Sequence, residues 1–220
     1  MITLHHLENS RSHRILWLLE ELHVSYEVRR YARDPKTSLA PPELLRVHPL
    51  GKSPVITEGD LTLAESGAIV EYLLERHGQG ALVPVAGSPE RLRYTYWLHF
   101  AEGTAMPPLL MKLVFSRIEK APMPFFARPI ARAIASKVKG HLIDPNLGRI
   151  VAYVEAELGR SDWFAGPAFS AADIQMSFPV EALVARAGGG ANMKGFLERI
   201  HLRPAYAKAV EMGGELSMLR

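Results

Sequence analysis

The chain opens MITLHHLENSRSHRILWLLEELHVSYEVRRY over residues 1–31, a strand, a helix and a second strand in immediate succession. Ile2 and Leu4 alternate with Thr3 and His5, the two-residue period of a strand with unlike faces. Ile15, Leu18, Leu19 and Leu22 then recur at helical spacing with Glu20 and Glu21 on the other side, which predicts an amphipathic helix over about residues 11–23. Residues 25–31, SYEVRRY, return to strand. A strand, a helix and a strand this close together call for a parallel pair joined by a right-handed crossover.

Outward from this core the order continues. Asp34-Pro35 and Pro41-Pro42 mark a loose stretch before a short helix at Glu43 to Val47. Pro54 to Thr57 and Leu61 to Leu63 are short apolar strands separated by Glu58-Gly59-Asp60, which is hairpin spacing. Ser66 is placed to cap a helix carrying Ile69, Tyr72 and Leu73, ending at Gly78. The sum is β-α-β, α, β-β-α in the first eighty residues, the order of a thioredoxin-like layer. Residues 79–87, with Pro84, have no period and read as a linker.

Everything beyond reads helical. Ser88-Pro89-Glu90 starts a helix by cap, fixed φ and dipole preference, and Pro107-Pro108 should end or interrupt it. Asp144-Pro145 opens another helix that stops at Gly159; Ser170 with Asp173 forms a capping box, with Phe169 able to staple to Ile174. Gly188 to Gly190 and Pro204 separate the last helices. The expected architecture is an α/β thioredoxin-like module over residues 1–80 and an all-α helical bundle over residues 88–220.

Bulk properties narrow the function. With 48% hydrophobic and 22% charged residues the chain has the composition of a folded soluble protein, and no run approaches eighteen uncharged apolar residues. The first residues lack the pattern of a secretory signal, so a cytoplasmic location is expected. There are no cysteines, so thiolate chemistry must come from a ligand. A net charge of +3 suits small anions; the basic residues do not interleave with aromatics, so nucleic acid is not expected as a partner. Nine histidines show no ligand spacing, and no metal is expected.

Three segments stand out for chemistry. Asn9-Ser10-Arg11-Ser12-His13-Arg14 crowds cations at the positive end of a helix dipole, an arrangement that an anion would relieve. Gly51-Lys52-Ser53-Pro54-Val55 enters a strand through a proline, where a cis bond would turn the Ser53 backbone toward an extended ligand. Glu65-Ser66-Gly67 offers a hydroxyl, free amides and a carboxylate at a helix start. Taken singly, each is most simply a cap, a solvated patch or an edge proline.

Together these segments resemble the N-terminal domain of the cytosolic glutathione S-transferase family, in its serine-type bacterial and fungal branch. Trp163-Phe164-Ala165-Gly166 followed by Phe169 to Ile174 is similar to the helical-domain signature of that family. The resemblance implies glutathione as co-substrate and conjugation of its thiolate to a hydrophobic electrophile, with peroxidase activity as a side reaction and a homodimer as the assembly. It implies that Ser10 hydrogen-bonds the sulfur, with Ser12 the competitor for that role. It implies further that Ser53, before a cis Pro54, pairs with the cysteinyl part, that Glu65 and Ser66 hold the γ-glutamyl end, and that Lys52 lies beside the tripeptide. His6 stands near the position of the tyrosine in tyrosine-type members, which closes that mode. A transferase-like binding or regulatory protein is the alternative.

For the electrophile, Met106, Leu109, Leu110, Phe115, Phe125 and Phe126 are the candidate apolar lining. Between Lys112 and Lys139 there are seven Lys or Arg against one acid, Glu119. That stretch reads as a solvated rim, an anion site or a membrane-surface contact.

Overall fold

The computed structural model describes residues 1–214 and 216 of the chain. Its four-stranded sheet has the order β2-β1-β3-β4. β1 (Ile2–Leu7) and β2 (Tyr26–Tyr31) are parallel, with Ile2 opposite Tyr26; β3 (Val55–Glu58) runs antiparallel to β1, and β4 (Leu61–Ala64) antiparallel to β3. The two-residue Gly59-Asp60 connection closes the hairpin, and Gly59 adopts the φ of +58° that favours glycine there. α1 (Ser12–Glu21) forms the crossover between β1 and β2, α2 (Glu43–Val47) follows β2, and α3 (Ser66–His77) follows β4.

The helices behind the sheet are α4 (Pro89–Phe100), α5 (Met106–Lys120), α6 (Arg128–Val138), α7 (Asp144–Leu158), α8 (Ala171–Ala187), α9 (Ala191–His201) and α10 (Pro204–Gly213). The Ser88 hydroxyl accepts from Arg91 N at 3.1 Å, as its cap position requires. Pro107 and Pro108 do not end the helical path. A π-helical turn, Ala101–Ala105, carries α4 into α5, and both prolines sit in its first turn, where a missing N–H costs no bond. A second π-helical turn, Lys139–Ile143, does the same before Pro145.

Two elements are more buried than their periodicity predicts. α1 is buried from Ser12 through Leu19, because α3, α8 and α10 pack on it along with β1. β1 lacks the unlike faces expected of it: His5, His6 and Leu7 are buried as fully as Ile2 and Leu4. Of the polar residues that sequence places at the surface, His6 and His13 meet α10, whereas His5 packs on Tyr31.

His13 is one of these. Its ring meets Tyr206 edge-on at 5.4 Å, and its Nε2 has no hydrogen-bond partner. Burial, with the nearby His6 and His201, lowers its pKa to about 4. The unfolded chain binds this proton near pH 6.5 and the folded chain does not, so stability is full above pH 6.5 and is lost as pH falls. Going from pH 7 to 5 should cost roughly 2 kcal/mol through this residue. Urea unfolding at the two pH values checks this: His13→Phe should flatten the difference relative to the unaltered chain.

Candidate functional site

A cavity of about 930 Å³ opens where β1 ends, between the loops that follow β1 and β2 and the helices α5 and α8. Ser10, Lys52 and Ser53 line it, with Met106, Leu110 and Phe178 on the helical side. Of the candidate apolar lining, Met106 and Leu110 are in place. Leu109 is buried in the core, while Phe125 and Phe126 stand exposed and Phe115 packs against the core, all outside the cavity wall.

Ser10 and Ser12 occupy different layers. Ser10 reaches the cavity; Ser12 is fully buried directly behind it. Their hydroxyls are 2.7 Å apart, and Ser12 N donates to Ser10 Oγ at 3.2 Å. Ser12 Oγ also lies 2.9 Å from His6 Nδ1 and 3.2 Å from Leu7 O. His6 Nε2 stands 3.0 Å from the carbonyl of Gly213, at the end of α10.

The donors along this chain follow from simple valence. A carbonyl can only accept, so His6 carries its proton on Nε2 and offers a lone pair at Nδ1. Ser12 then shares its one proton between His6 Nδ1, the nearer acceptor, and Leu7 O, and Ser10 donates to Ser12. Burial holds the pKa of His6 below its ordinary value, with Arg30 adding to the effect and the Gly213 carbonyl and Glu8 opposing it, so the ring is neutral at pH 7. At rest, Ser10 faces the cavity with a lone pair and keeps its proton turned inward.

A second buried network begins at Arg14, 1% exposed on α1. Its guanidinium donates to Ser66 Oγ, to Glu102, and to Gln175 O at 2.7 Å. Arg11 Nε joins the same carboxylate at 3.1 Å and stacks over Phe178 at 5.8 Å. The anion that the crowded helix start called for is thus supplied by the chain itself. Ser66 is not the cap it was expected to be. It is the first residue of α3, and its hydroxyl is taken by Arg14, while Glu65 fills the cap position at φ +70° without a side-chain cap.

The Glu65 carbonyl accepts from Ile69 N at 2.9 Å, while its side chain is exposed and makes no hydrogen bond or ion pair among the described residues. The Ser53–Pro54 bond is cis, and Ser53 Oγ donates to His5 O at 2.8 Å and accepts from Leu7 N at 3.2 Å. Ser10, Lys52 and Ser53 therefore share one cavity, whereas Ser12, Pro54, Glu65 and Ser66 lie outside its lining. Sequence reasoning did not see the roles of His6, Arg14 and Glu102. The cations at the start of α1 were the one hint. No cluster of three or more His, Asp or Glu able to hold a metal is present among the described residues, and no helix there is long and apolar enough to cross a membrane.

Comparison with known proteins identifies the family that the chain is similar to. Residues 1–75 match the model for the glutathione S-transferase N-terminal domain. The chain is 37% identical over 182 residues to glutathione S-transferase 3 of Schizosaccharomyces pombe, covering 83% of this chain and 74% of the relative. It is 33% identical over 188 residues to glutathione S-transferase 1 of Saccharomyces cerevisiae, covering 82% and 80%. A crystal structure of a glutathione S-transferase from Actinobacillus pleuropneumoniae superposes with a TM-score of 0.76 at 34% identity, over 100% of this chain and 96% of that one.

Proposed function

The chain belongs to the glutathione S-transferase family, and from that premise we propose that it works in the serine mode, with Ser10 holding the sulfur of glutathione as a thiolate. It is a transferase that joins this thiolate to an electrophile. In this reading residues 1–80 hold the tripeptide and residues 88–220 supply the wall against which the electrophile lies. Ser53 serves the cysteinyl part, and Lys52 lies beside the tripeptide. Glu65 takes the γ-glutamyl ammonium, and Ser66, already tied to Arg14, holds the start of α3 in place.

The observation that carries the reading is the chain Ser10–Ser12–His6, with its cavity end open. A thiol arriving at Ser10 donates to the exposed lone pair. When the S–H bond breaks, its proton goes to Ser10 Oγ, the Ser10 proton passes to Ser12, and the Ser12 proton passes to His6 Nδ1. Every hydrogen bond in the chain is thereby reversed. Ser10 ends as donor to the sulfur anion, and His6 ends doubly protonated, bonded to Ser12 and to Gly213 O. Burial makes His6 a poor base without ligand, and the arriving anion offsets that penalty. The charged groups facing His6 are Glu8 on its own strand edge and Arg30 across the β1–β2 pair; His13, the titratable group from α1, is neutral at pH 7.

The energies are of the right size. A free thiol near pKa ~8.5 is about 3% thiolate at pH 7, and lowering it by about two units gives about 75% for roughly 2.7 kcal/mol. One hydrogen bond to a charged group contributes about 1.5–3 kcal/mol. The start of α1 adds to this through its dipole and through Ser12 N, which donates to Ser10 Oγ at 3.2 Å.

Counting protons tests the relay. Calorimetric binding of glutathione in buffers of different ionisation enthalpy gives the protons released per bound thiolate. Fewer protons should leave the unaltered protein than thiolates form, because His6 retains them. His6→Asn can still accept from Ser12 but cannot be protonated, so release should rise to about one per thiolate. Equal release from both proteins removes His6 from the scheme and leaves Ser10 untouched.

A further inference from the structure

The wall of the cavity away from Ser10 carries charge that the sulfur chemistry does not use. Arg33, after β2, Arg117, on α5, and Arg186, in the last turn of α8, all line it. Arg33 is committed to the chain: it donates to Glu8 O and Ser38 O at 3.0 Å and to Asn9 O at 3.2 Å. The Arg117 and Arg186 side chains are not, making no hydrogen bond or ion pair among the described residues. The acids of the same cavity are spent: Glu8 accepts from Arg33 N at 2.7 Å, and Asp34 accepts from Thr37 N at 2.7 Å and Lys36 N at 3.0 Å.

Like charges held together without a counter-ion are unfavourable, and each destabilises its neighbours. The charge of Arg117 lowers the pKa of Arg33 and of Arg186, in both cases second to burial or weaker. The surfaces beside the pair are apolar: Met106, Leu110, Leu113 and Phe178. An anionic group set on an apolar body would meet both at once. Resting on the reading of this cavity as the transferase site, we infer that the electrophile it takes is an amphipathic anion, whose carboxylate is received by Arg117 and Arg186 while its apolar body lies on Met106, Leu110 and Phe178.

The competing occupant of these arginines is glutathione itself, through its glycyl carboxylate. A matched pair of electrophiles separates the cases: 4-chloro-3,5-dinitrobenzoate and its methyl ester, which react at the same carbon and differ in charge. With the unaltered enzyme, added salt should raise KM for the acid and leave KM for the ester in place. Arg117→Gln combined with Arg186→Gln should raise KM for the acid roughly tenfold, with KM for the ester and for glutathione unchanged. Arg117→Lys and Arg186→Lys should recover part of the loss, as point charges lacking the planar fork. A rise in KM for glutathione instead would assign the pair to the tripeptide and overturn the inference, as would equal effects on acid and ester. Turnover of the ester by the unaltered enzyme separately upholds the transferase reading; were neither compound conjugated, that reading and this one would fall together.

Discussion

Replacing Ser10 by alanine is expected to lower kcat/KM for conjugation of the methyl ester roughly 10- to 150-fold, the cost of one hydrogen bond to a charged group. Most of the loss should fall on kcat, because the strong, charge-assisted bond from the hydroxyl forms only once the sulfur is an anion and the tripeptide is held by other residues. Glutathione affinity should change little. Ser12→Ala makes the control: Ser12 is fully buried and out of reach of the cavity, so it acts through Ser10 and His6. Its removal should leave Ser10 able to donate but without a partner for the proton it inherits, giving a smaller loss that eases as pH rises. Steady-state kinetics over pH 6 to 9 distinguishes the two variants. Equal losses at all pH values would mean that Ser12 only supports the fold.

The second large effect lies away from the chemistry. Asp173 is fully buried in the first turn of α8, and its carboxylate accepts from Phe164 N and Ser170 N at 2.8 Å and from Ser170 Oγ at 3.1 Å. Burial pushes its pKa up to about 7 against the pull of those donors. Removing the side chain strands two buried N–H groups and a helix cap, which should cost about 3–5 kcal/mol, a large part of the stability of an ordinary domain. The loop that Asp173 ties down carries Phe164, whose ring packs at 4.7 Å on Trp97 and 5.0 Å on Phe196. Urea unfolding of Asp173→Ala should therefore show a lower midpoint, with Asp173→Asn in between. The folded fraction should keep its kcat/KM, because Asp173 is no part of the cavity. A loss of turnover without a loss of stability would give it a chemical role after all.

Local signals in the sequence were enough for the elements whose boundaries are set locally. The short helix Glu43–Val47, the cap at Ser88 and the box at Ser170 and Asp173 each depend on residues within one turn, and each is where its residues predict. What could not be read depends on partners far along the chain. His6 meets Gly213, Arg14 meets Glu102 and Gln175, and Tyr206 meets His13 and Trp17. No period or spacing relates such pairs, since they meet only after α8 and α10 have packed on α1.

The same reason explains the two misjudged residue classes. A polar residue on a strand or helix is read as solvent-facing unless something covers it; α8 and α10 cover α1, and on β1 His6 is met by Gly213 of α10. Ser66 reads as a cap in sequence because serine before a helical run usually is one. The positive φ of Glu65 moves the cap position back by one residue and turns the hydroxyl to Arg14 instead.

Whether the chain gains its sulfur nucleophile through Ser10 can be decided by titrating the bound glutathione thiol, following the ultraviolet absorbance of the thiolate in the complex as pH rises. Bound to the unaltered protein, the thiol should titrate about two units below its free value, and bound to Ser10→Ala it should move back most of the way toward it. A bound thiol that titrates at the same pH with and without the Ser10 hydroxyl would contradict the account.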